Sequence, residues 1–484
     1  MTSKMPSLRR LSSALVLTGV LAGAAASSAL AAEATTKPGF SPISNSLPAT
    51  IDTDAGAFNS SNMTVEIVLA PGNQTQLSSL TTSLYDPQSP NYQQWLGKGE
   101  FAAQFAPGAA TVTAITNYLQ SNGLSVQTTA SPFLLRASGS SSALSQAFST
   151  TLRSYTNRNG ISYFQNASTL QLPSNLAASV LGVVGLTNTV NLQGQYQMPY
   201  KHHKQPSPPC ETPYPTTTEL FNQYVNNEPF PYGYGGGPGC SGLTPSQVNS
   251  IYGAPNVGAR GQGQGVNMAV FELSAYQHSD IDTWAKQFYG RGFTPPLVDI
   301  NVDGGPLNPI CPSGDQCQPA SGAYAGDIEV DADIEVTLAV APAVRNLIVY
   351  NAPNDVTGQT ELDEYTQIAN DDIADVVSSS WSECEQDAGA ALAQAENLVF
   401  LQMALQGQSV FGAEGDSGAF ECIRSDGTTG LAVLDPPAQP LVTSVGHLLR
   451  VIQSRRERFP QLSVRPGDSL ECGWSLQCAG CNSG

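Results

Sequence analysis

Apolar and polar positions follow two different rhythms along this 484-residue chain. From 33 to about 195 the pattern is mixed. Alternation predicts a strand over 63–69, and a polar helical stretch follows over 74–85. Further helices are expected over 111–122 and 141–149. Two short strands are expected between 124 and 137, on either side of Ser131-Pro132, and a hairpin over 151–164 turns at Asn159-Gly160. That order predicts an α+β unit with helices on one face of a sheet. Past Leu243 the rhythm becomes regular. Buried-type strands over 266–273, 346–350, 374–379 and 409–413 alternate with helices over 280–289, 360–370 and 390–405. Such alternation predicts a parallel sheet covered by helices on both faces. No glycine-rich nucleotide fingerprint follows any of these strands.

Residues 196–242 interrupt both rhythms. Pro206, Pro208 and Pro209 follow Lys201-His-His-Lys204, and Tyr232-Gly-Tyr-Gly-Gly-Gly-Pro-Gly239 comes next. Sequence of this kind builds no core and reads as a linker, with His202 and His203 as linker histidines rather than metal ligands.

One segment breaks the alternation differently. Asp327, Glu329, Asp331, Asp333 and Glu335 place five acids in nine positions of a chain that is only 12% charged. Period-two alternation favours a strand, whereas the propensities of 335–340 favour a helix. On a helix, Glu329 and Asp333 share one face. Two carboxylates held close cannot both ionise easily, which makes an acid and a base without histidine. The other readings are a solvated acidic face or a calcium loop.

Composition narrows the partners. Net charge is −19, so no basic surface is available to neutralise nucleic acid. Lys4, Arg9 and Arg10 precede an apolar stretch over 14–26. Ala29-Leu-Ala31 then offers small residues for cleavage, so residues 1–32 read as an export signal. The stretch is short for a membrane span, and no later segment is long and apolar enough. The expectation is a secreted, extracellular protein with no membrane contact after signal removal. Nine cysteines suit an oxidising compartment. Six lie before residue 446, with Cys210–Cys240, Cys311–Cys317 and Cys384–Cys422 as the expected pairs among 15 connectivities. Cys472, Cys478 and Cys481 fall in the last thirteen residues.

Four ordered motifs give the chain a family resemblance. Glu329-Val-Asp-Ala-Asp333-Ile-Glu335 through Ala341-Pro342 resembles the Glu-x-x-x-Asp helix of the sedolisin (kumamolisin-like) serine-carboxyl peptidases, with Ala332 in place of a usual leucine. Ser378-Ser-Ser-Trp381 is similar to the substrate strand, with Ser382 where glycine is usual. Gly415-Asp-Ser-Gly418 resembles the turn bearing the oxyanion aspartate, and Leu243-Thr-Pro245 to Ile251-Tyr-Gly253 the start of the mature enzyme. Upstream, Pro90-Asn-Tyr92, Trp95-Leu96 and Phe105-Ala-Pro107 resemble an activation prodomain.

The resemblance implies a subtilisin-like α/β catalytic domain, here incomplete, behind an α+β ferredoxin-like prodomain. Its segments are a signal peptide over 1–32, a prodomain over 33–195, a linker over 196–242, a partial peptidase domain over 243–446 and a divergent tail over 447–484. It implies Glu329 as general base, Asp333 as its partner and a protonated Asp416 as donor to the oxyanion. Glu272 and Trp381 are implied as supporting hydrogen-bond partners. Ser378, Ser379 and Ser380 would line a bound peptide. The implied partners are a peptide or protein substrate and the chain's own prodomain, and the implied cofactor is calcium, for which no site is recognisable.

Two departures matter. After Gly446 the tail gathers Arg450, Arg455, Arg456, Arg458 and Arg465, five of the chain's 20 basic residues, together with the three surplus cysteines. No Gly-Thr-Ser, the tripeptide that carries the family's nucleophile, follows residue 418. A frameshift or truncation near 446 accounts for both, the alternative being a genuine divergent tail, and the chain as written is expected to be inactive. Gly415–Gly418 also admits a trypsin-like reading with Ser417 as nucleophile. That mechanism needs a histidine base, and His202, His203, His278 and His447 lie in no matching context. A non-catalytic secreted module, pseudoenzyme or calcium-dependent binder, is the alternative function.

Overall fold

The computed structural model describes residues 37–43, 52–157, 160–190, 192–194, 244–253, 262–306, 326–415, 419–423 and 430–446. The expected export signal, the linker, Asp416, Ser417 and the arginine-rich tail lie outside the described residues. So do Cys210, Cys240, Cys311 and Cys317. The third expected disulfide, Cys384–Cys422, is formed across a sequence separation of 38.

The described residues of 37–190 carry nine strands: β1 (Phe40–Pro42), β2 (Thr53–Ala57), β3 (Met63–Leu69), β4 (Ser125–Thr128), β5 (Leu134–Gly139), β6 (Leu152–Thr156), β7 (Ser162–Asn166), β8 (Gln171–Pro173) and β9 (Val180–Val184). Five helices join them: α1 (Gln74–Tyr85), α2 (Glu100–Phe105), α3 (Ala109–Ser121), α4 (Ser141–Ala147) and α5 (Ser174–Ala177). The main sheet is antiparallel in the order β4-β5-β3-β9. Alternation along β3 turns Val65, Ile67 and Leu69 onto Ile115 and Leu119 of α3, all fully or almost fully buried. The opposite face, through Val68, Leu134 and Val184, joins the core of the second region. The expected hairpin is present as β6 and β7.

The second region contains β10 (Gln193–Gly194), α6 (Pro245–Tyr252), β11 (Asn267–Glu272), α7 (His278–Tyr289), β12 (Leu297–Asn301), α8 (Asp327–Val340), β13 (Asn346–Asn351), α9 (Gln359–Asp371), β14 (Val376–Ser379), β15 (Trp381–Cys384), α10 (Glu385–Leu405), β16 (Ser409–Ala413), β17 (Leu434–Asp435) and β18 (Val442–Val445). Six strands form one parallel sheet, ordered β12-β13-β11-β14-β16-β18. Val270, Leu347 and Val349 point to one face and pack on α7 and α8 through Ile281, Val330, Ile334 and Leu338. Ala269, Phe271, Ile348 and Tyr350 point to the other and pack on α9 and α10. The sequence-expected two-sided parallel sheet is therefore observed. Strand order reverses around β11, and such a reversal opens a crevice at the carboxyl ends of neighbouring strands.

The acidic run is helical, from Asp327 to Val340. Val330, Ile334 and Leu338, spaced four apart, are fully buried, while Ile328 and Val336 stay exposed. The four-residue spacing, not the period-two alternation, decides the conformation. A calcium loop is not what this segment forms.

Candidate active site

The carboxyl end of β11 places Glu272 in the crevice, with none of its surface exposed. Glu272 Oε2 accepts the indole N–H of Trp381 at 2.8 Å. Trp381 opens β15 directly after Ser380, so β11, β14 and β15 bring both groups together. Glu364 of α9 fixes the main chain beneath, its Oε1 accepting the Glu272 N–H at 3.1 Å.

Helix α8 enters the crevice at its N-terminal end. Gly326 caps it, and the Ser274 hydroxyl oxygen accepts the Gly326 N–H at 3.1 Å. A β-carbon at 326 would lie 2.4 Å from Trp381 Cη2 and 2.9 Å from Ser274 Cβ, so only glycine fits there. This seat directs Glu329 and Asp333 into the crevice on successive turns. The first-turn position of Glu329 is one where a helix favours negative charge.

Asp333 Oδ1 accepts the Ser380 hydroxyl at 2.8 Å. Its second oxygen has no donor and meets the carboxyl of Glu272, whose Oε1 also has none. Two such oxygens form a bond only when a proton lies between them. Burial is the main cause that pushes Asp333 up to about 6. It also lifts Glu272 well above the usual carboxylate range, with Asp333 and Glu329 adding repulsion and the Trp381 N–H opposing it. Glu329 is buried beside this pair and close enough to raise Glu272 electrostatically.

The three serines part company. Ser380 serves Asp333. Ser379 is buried, its hydroxyl donating to the Trp381 carbonyl at 3.1 Å and accepting the Trp381 N–H at 3.3 Å. Ser378 pairs with Val270 and Phe411 within the parallel sheet. Of the four histidines, His278 is described. It stands at the start of α7, its Nε2 2.7 Å from Asp299. Asp416 lies outside the described residues. The strand before it, β16, ends at Ala413, and Glu414 follows, buried and accepting the Ser444 hydroxyl at 2.7 Å.

Strand β10 crosses this crevice. Gln193 opposes Ser382 and Gly194 opposes Trp381 in an antiparallel pair. Asn354 Nδ2 holds the Leu192 carbonyl at 3.1 Å, and the Thr189 hydroxyl donates to the Asp387 carbonyl at 2.9 Å. A β-carbon at 194 would stand 2.9 Å from Glu329 Oε2, so the chain runs directly over that carboxyl.

Sequence reasoning missed Glu364, Ser274 and the bond from Ser380 to Asp333. Glu364 sat in an ordinary helical pattern, where a glutamate reads as surface. Among the described residues no group of three or more His, Cys, Asp or Glu side chains is disposed to hold a metal ion. No described helix is long and apolar enough to cross a membrane.

Residues 53–189 match the pro-kumamolisin activation domain. Sedolisin of Pseudomonas sp. (strain 101) is 25% identical over 379 residues, covering 77% of this chain and 57% of that protein. Kumamolisin of Bacillus sp. (strain MN-32) is 28% identical over 367 residues, 74% of this chain and 57% of that protein. Xanthomonalisin of Xanthomonas sp. (strain T-22) is 23% identical over 414 residues, 79% and 45% respectively. The chain spans about half the length of the curated relatives it matches. A solved structure, Pseudomonas sedolisin (serine-carboxyl proteinase) complexed with two molecules of pseudo-iodotyrostatin, matches at 23% identity with a TM-score of 0.32. That match covers 42% of this chain and 53% of that one. The motifs and the activation-domain match together make this chain a sedolisin-like protein that carries a pro-kumamolisin activation domain.

Proposed function

We propose that this chain is the proenzyme form of a secreted, acid-acting serine-carboxyl endopeptidase. In this reading Glu329 is the general base, Asp333 orients it and shares its proton, and Asp416 donates to the oxyanion of the tetrahedral intermediate. A carboxyl group donates only when neutral, so the chemistry belongs in acid. Glu272 and Trp381 hold the carboxyl pair from behind. A substrate lies extended against the Ser378–Trp381 segment by backbone pairing. Residues 33–195 act as prodomain, and 243–446 as a subtilisin-like catalytic domain. The order β9-β3-β5-β4, with helices between β3 and β4 and between β5 and β9, supports a ferredoxin-like prodomain.

One observation carries the reading: the buried Glu272 and Asp333 carboxyls, gripped by Trp381 and Ser380 and set beside Glu329. It is an acid–base device made without histidine. The course of β10 over Glu329 supports it, because the strand just after the activation-domain match then occupies the lane a substrate would take. The calcium ion that the resemblance implies finds no fitting ligand set among the described residues, so no step is routed through it.

The test is peptide hydrolysis at about pH 3 to 5, where a carboxyl group stays protonated. The chain as written is expected to give no turnover, because no Gly-Thr-Ser follows residue 418. Fusing a segment bearing the family's Gly-Thr-Ser motif after Gly446 should confer acid-only turnover, and Glu329→Ala or Asp333→Asn should remove it. Turnover by the unfused chain that Ser417→Ala abolishes would overturn the reading in favour of a trypsin-like site. A calcium-induced rise in melting temperature that Asp331→Ala removes would favour a binding module instead.

A further inference from the structure

Four carboxyl groups meet in the core behind β15. Glu361 comes from α9, Glu396 from α10, Glu383 from β15 and Asp435 from β17. Glu383 and Asp435 are directly opposed across the β15–β17 pair. The four are between 0% and 3% exposed. Gln439 Nε2 donates to Asp435 Oδ1 at 2.8 Å. Neither oxygen of Glu361, Glu383 or Glu396, nor Oδ2 of Asp435, meets any other donor. Among the described residues no lysine, arginine or histidine forms an ion pair with them. What lies within hydrogen-bond reach is another carboxyl: Glu361 with Glu396, and Glu396 with Asp435.

The surroundings add no relief. Asp355 before α9, Asp387 and Glu385 at the start of α10, and Glu364 on α9 impose the same sign of charge. Tyr365 of α9, fully buried, is held neutral by burial and by the field of Glu361 and Glu396. Ionised together, these groups would repel across a dry core. With a proton between neighbours, each contact becomes a strong carboxyl–carboxylate hydrogen bond.

We propose that Glu361, Glu383, Glu396 and Asp435 form a proton-held latch that fastens α9, α10 and β17 to the Trp381–Cys384 strand in acid and loosens it near neutral pH. The latch does not depend on any catalytic reading, since it rests on the core of the domain. It nevertheless acts on the site, because β15 begins at Trp381 and α9 carries Glu364.

Burial lifts all four groups, Asp435 to about 6 and the three glutamates well above their usual range; repulsion from neighbouring carboxyls adds to the glutamates, whereas Glu396 and Gln439 lower Asp435. A raised carboxyl pKa gives stability that is fully present below the unfolded carboxyl range. That stability is lost as pH rises through the folded value, here through about 6 and beyond.

The test is the melting temperature of the full chain from pH 4 to 8, compared with Glu396→Gln. Glu396 is the middle member, and an amide supplies a permanent donor in place of the proton. At pH 7 the variant should melt about 3 °C or more above the parent, and at pH 4 at or below it. Glu383→Gln serves as the second variant, with the same crossover expected, should Glu396→Gln fail to fold. Variants that lower the melting temperature equally at both pH values would overturn the latch. So would a calcium-induced rise of the parent at pH 7 that Glu396→Gln abolishes, since the cluster would then hold a cation rather than protons.

Discussion

Two groups of buried carboxyls lie in one domain, and they are supplied with donors very differently. At the crevice, Glu272 has the Trp381 indole, Asp333 has the Ser380 hydroxyl and Glu364 has a backbone N–H. Behind β15, four carboxyls share one amide, that of Gln439. Burial raises both groups, so a raised pKa alone does not separate a site from its scaffold. The donors do. A donor fixes where a carboxyl points and lets it carry charge, as acid–base work requires. Without donors only protons hold the contact, and the group serves as a pH-dependent fastening. A third set, where the N-terminal region meets α9, takes the remaining route. Arg136 reaches Glu66 Oε1 at 2.7 Å and also bonds Asp363.

The most damaging way to break this comparison is Arg136→Ala, which turns the third set into a donorless one. Glu66 is fully buried and sits at about 7, Asp363 at about 8, each raised first by burial and lowered by Arg136. Without the guanidinium both values climb further. The variant should lose about 3 kcal/mol above pH 8, the lower end for breaking a buried pair, because Arg136 is itself one-third exposed. Most of the loss should vanish at pH 4, where both carboxyls are neutral in either protein. Denaturant melts at the two pH values measure it. An equal loss at both would show Arg136 acting through packing instead.

Gly326→Ala sharpens the comparison from the other side. The added methyl would press on Trp381 and Ser274, and overpacking of this kind costs about 1 to 3 kcal/mol. Moving the indole also takes the donor from Glu272. Thermal melts should show the loss, and Trp381→Phe in the same background should add less than it does alone, since the two changes share a partner. Full additivity would mean that the glycine serves only the helix cap.

Much of this arrangement was legible in the sequence. Buried-type strands and amphipathic helices foretold the parallel sheet, and the Glu329–Asp333 spacing foretold a shared helix face. Alternating acids left the same segment open between strand and helix. The burial of Val330, Ile334 and Leu338 beside the exposure of Ile328 and Val336 resolves it, because apolar residues two apart then part company, as on a helix and not on a strand. Strands β15 and β17 are too short, at four and two residues, to carry a periodic signal. The donorless cluster was invisible for a related reason. Glu361 and Glu396 lie in helices whose composition reads as amphipathic, and nothing local shows that a glutamate faces inward. Their burial is set by β15 and β17, which reach them from distant parts of the chain.

Ser380→Ala is the smallest cut and separates orientation from stability. Asp333 stands at about 6, raised by burial and lowered chiefly by this hydroxyl. Removing the donor raises it further, so stability continues to fall over a wider range as pH climbs. The expected cost is about 1 kcal/mol at pH 7, where the parent's Asp333 is mostly ionised, and less at pH 4, where it is neutral in both proteins. A donor that merely filled space would cost the same at both. Ser380→Thr keeps the hydroxyl and should restore the parent's pH dependence even where its extra methyl lowers the melting temperature throughout. If threonine fails while cysteine, a weaker donor of closer size, succeeds, shape rather than the hydrogen bond governs Asp333. The crevice would then be closer in kind to the cluster behind β15 than its donors suggest.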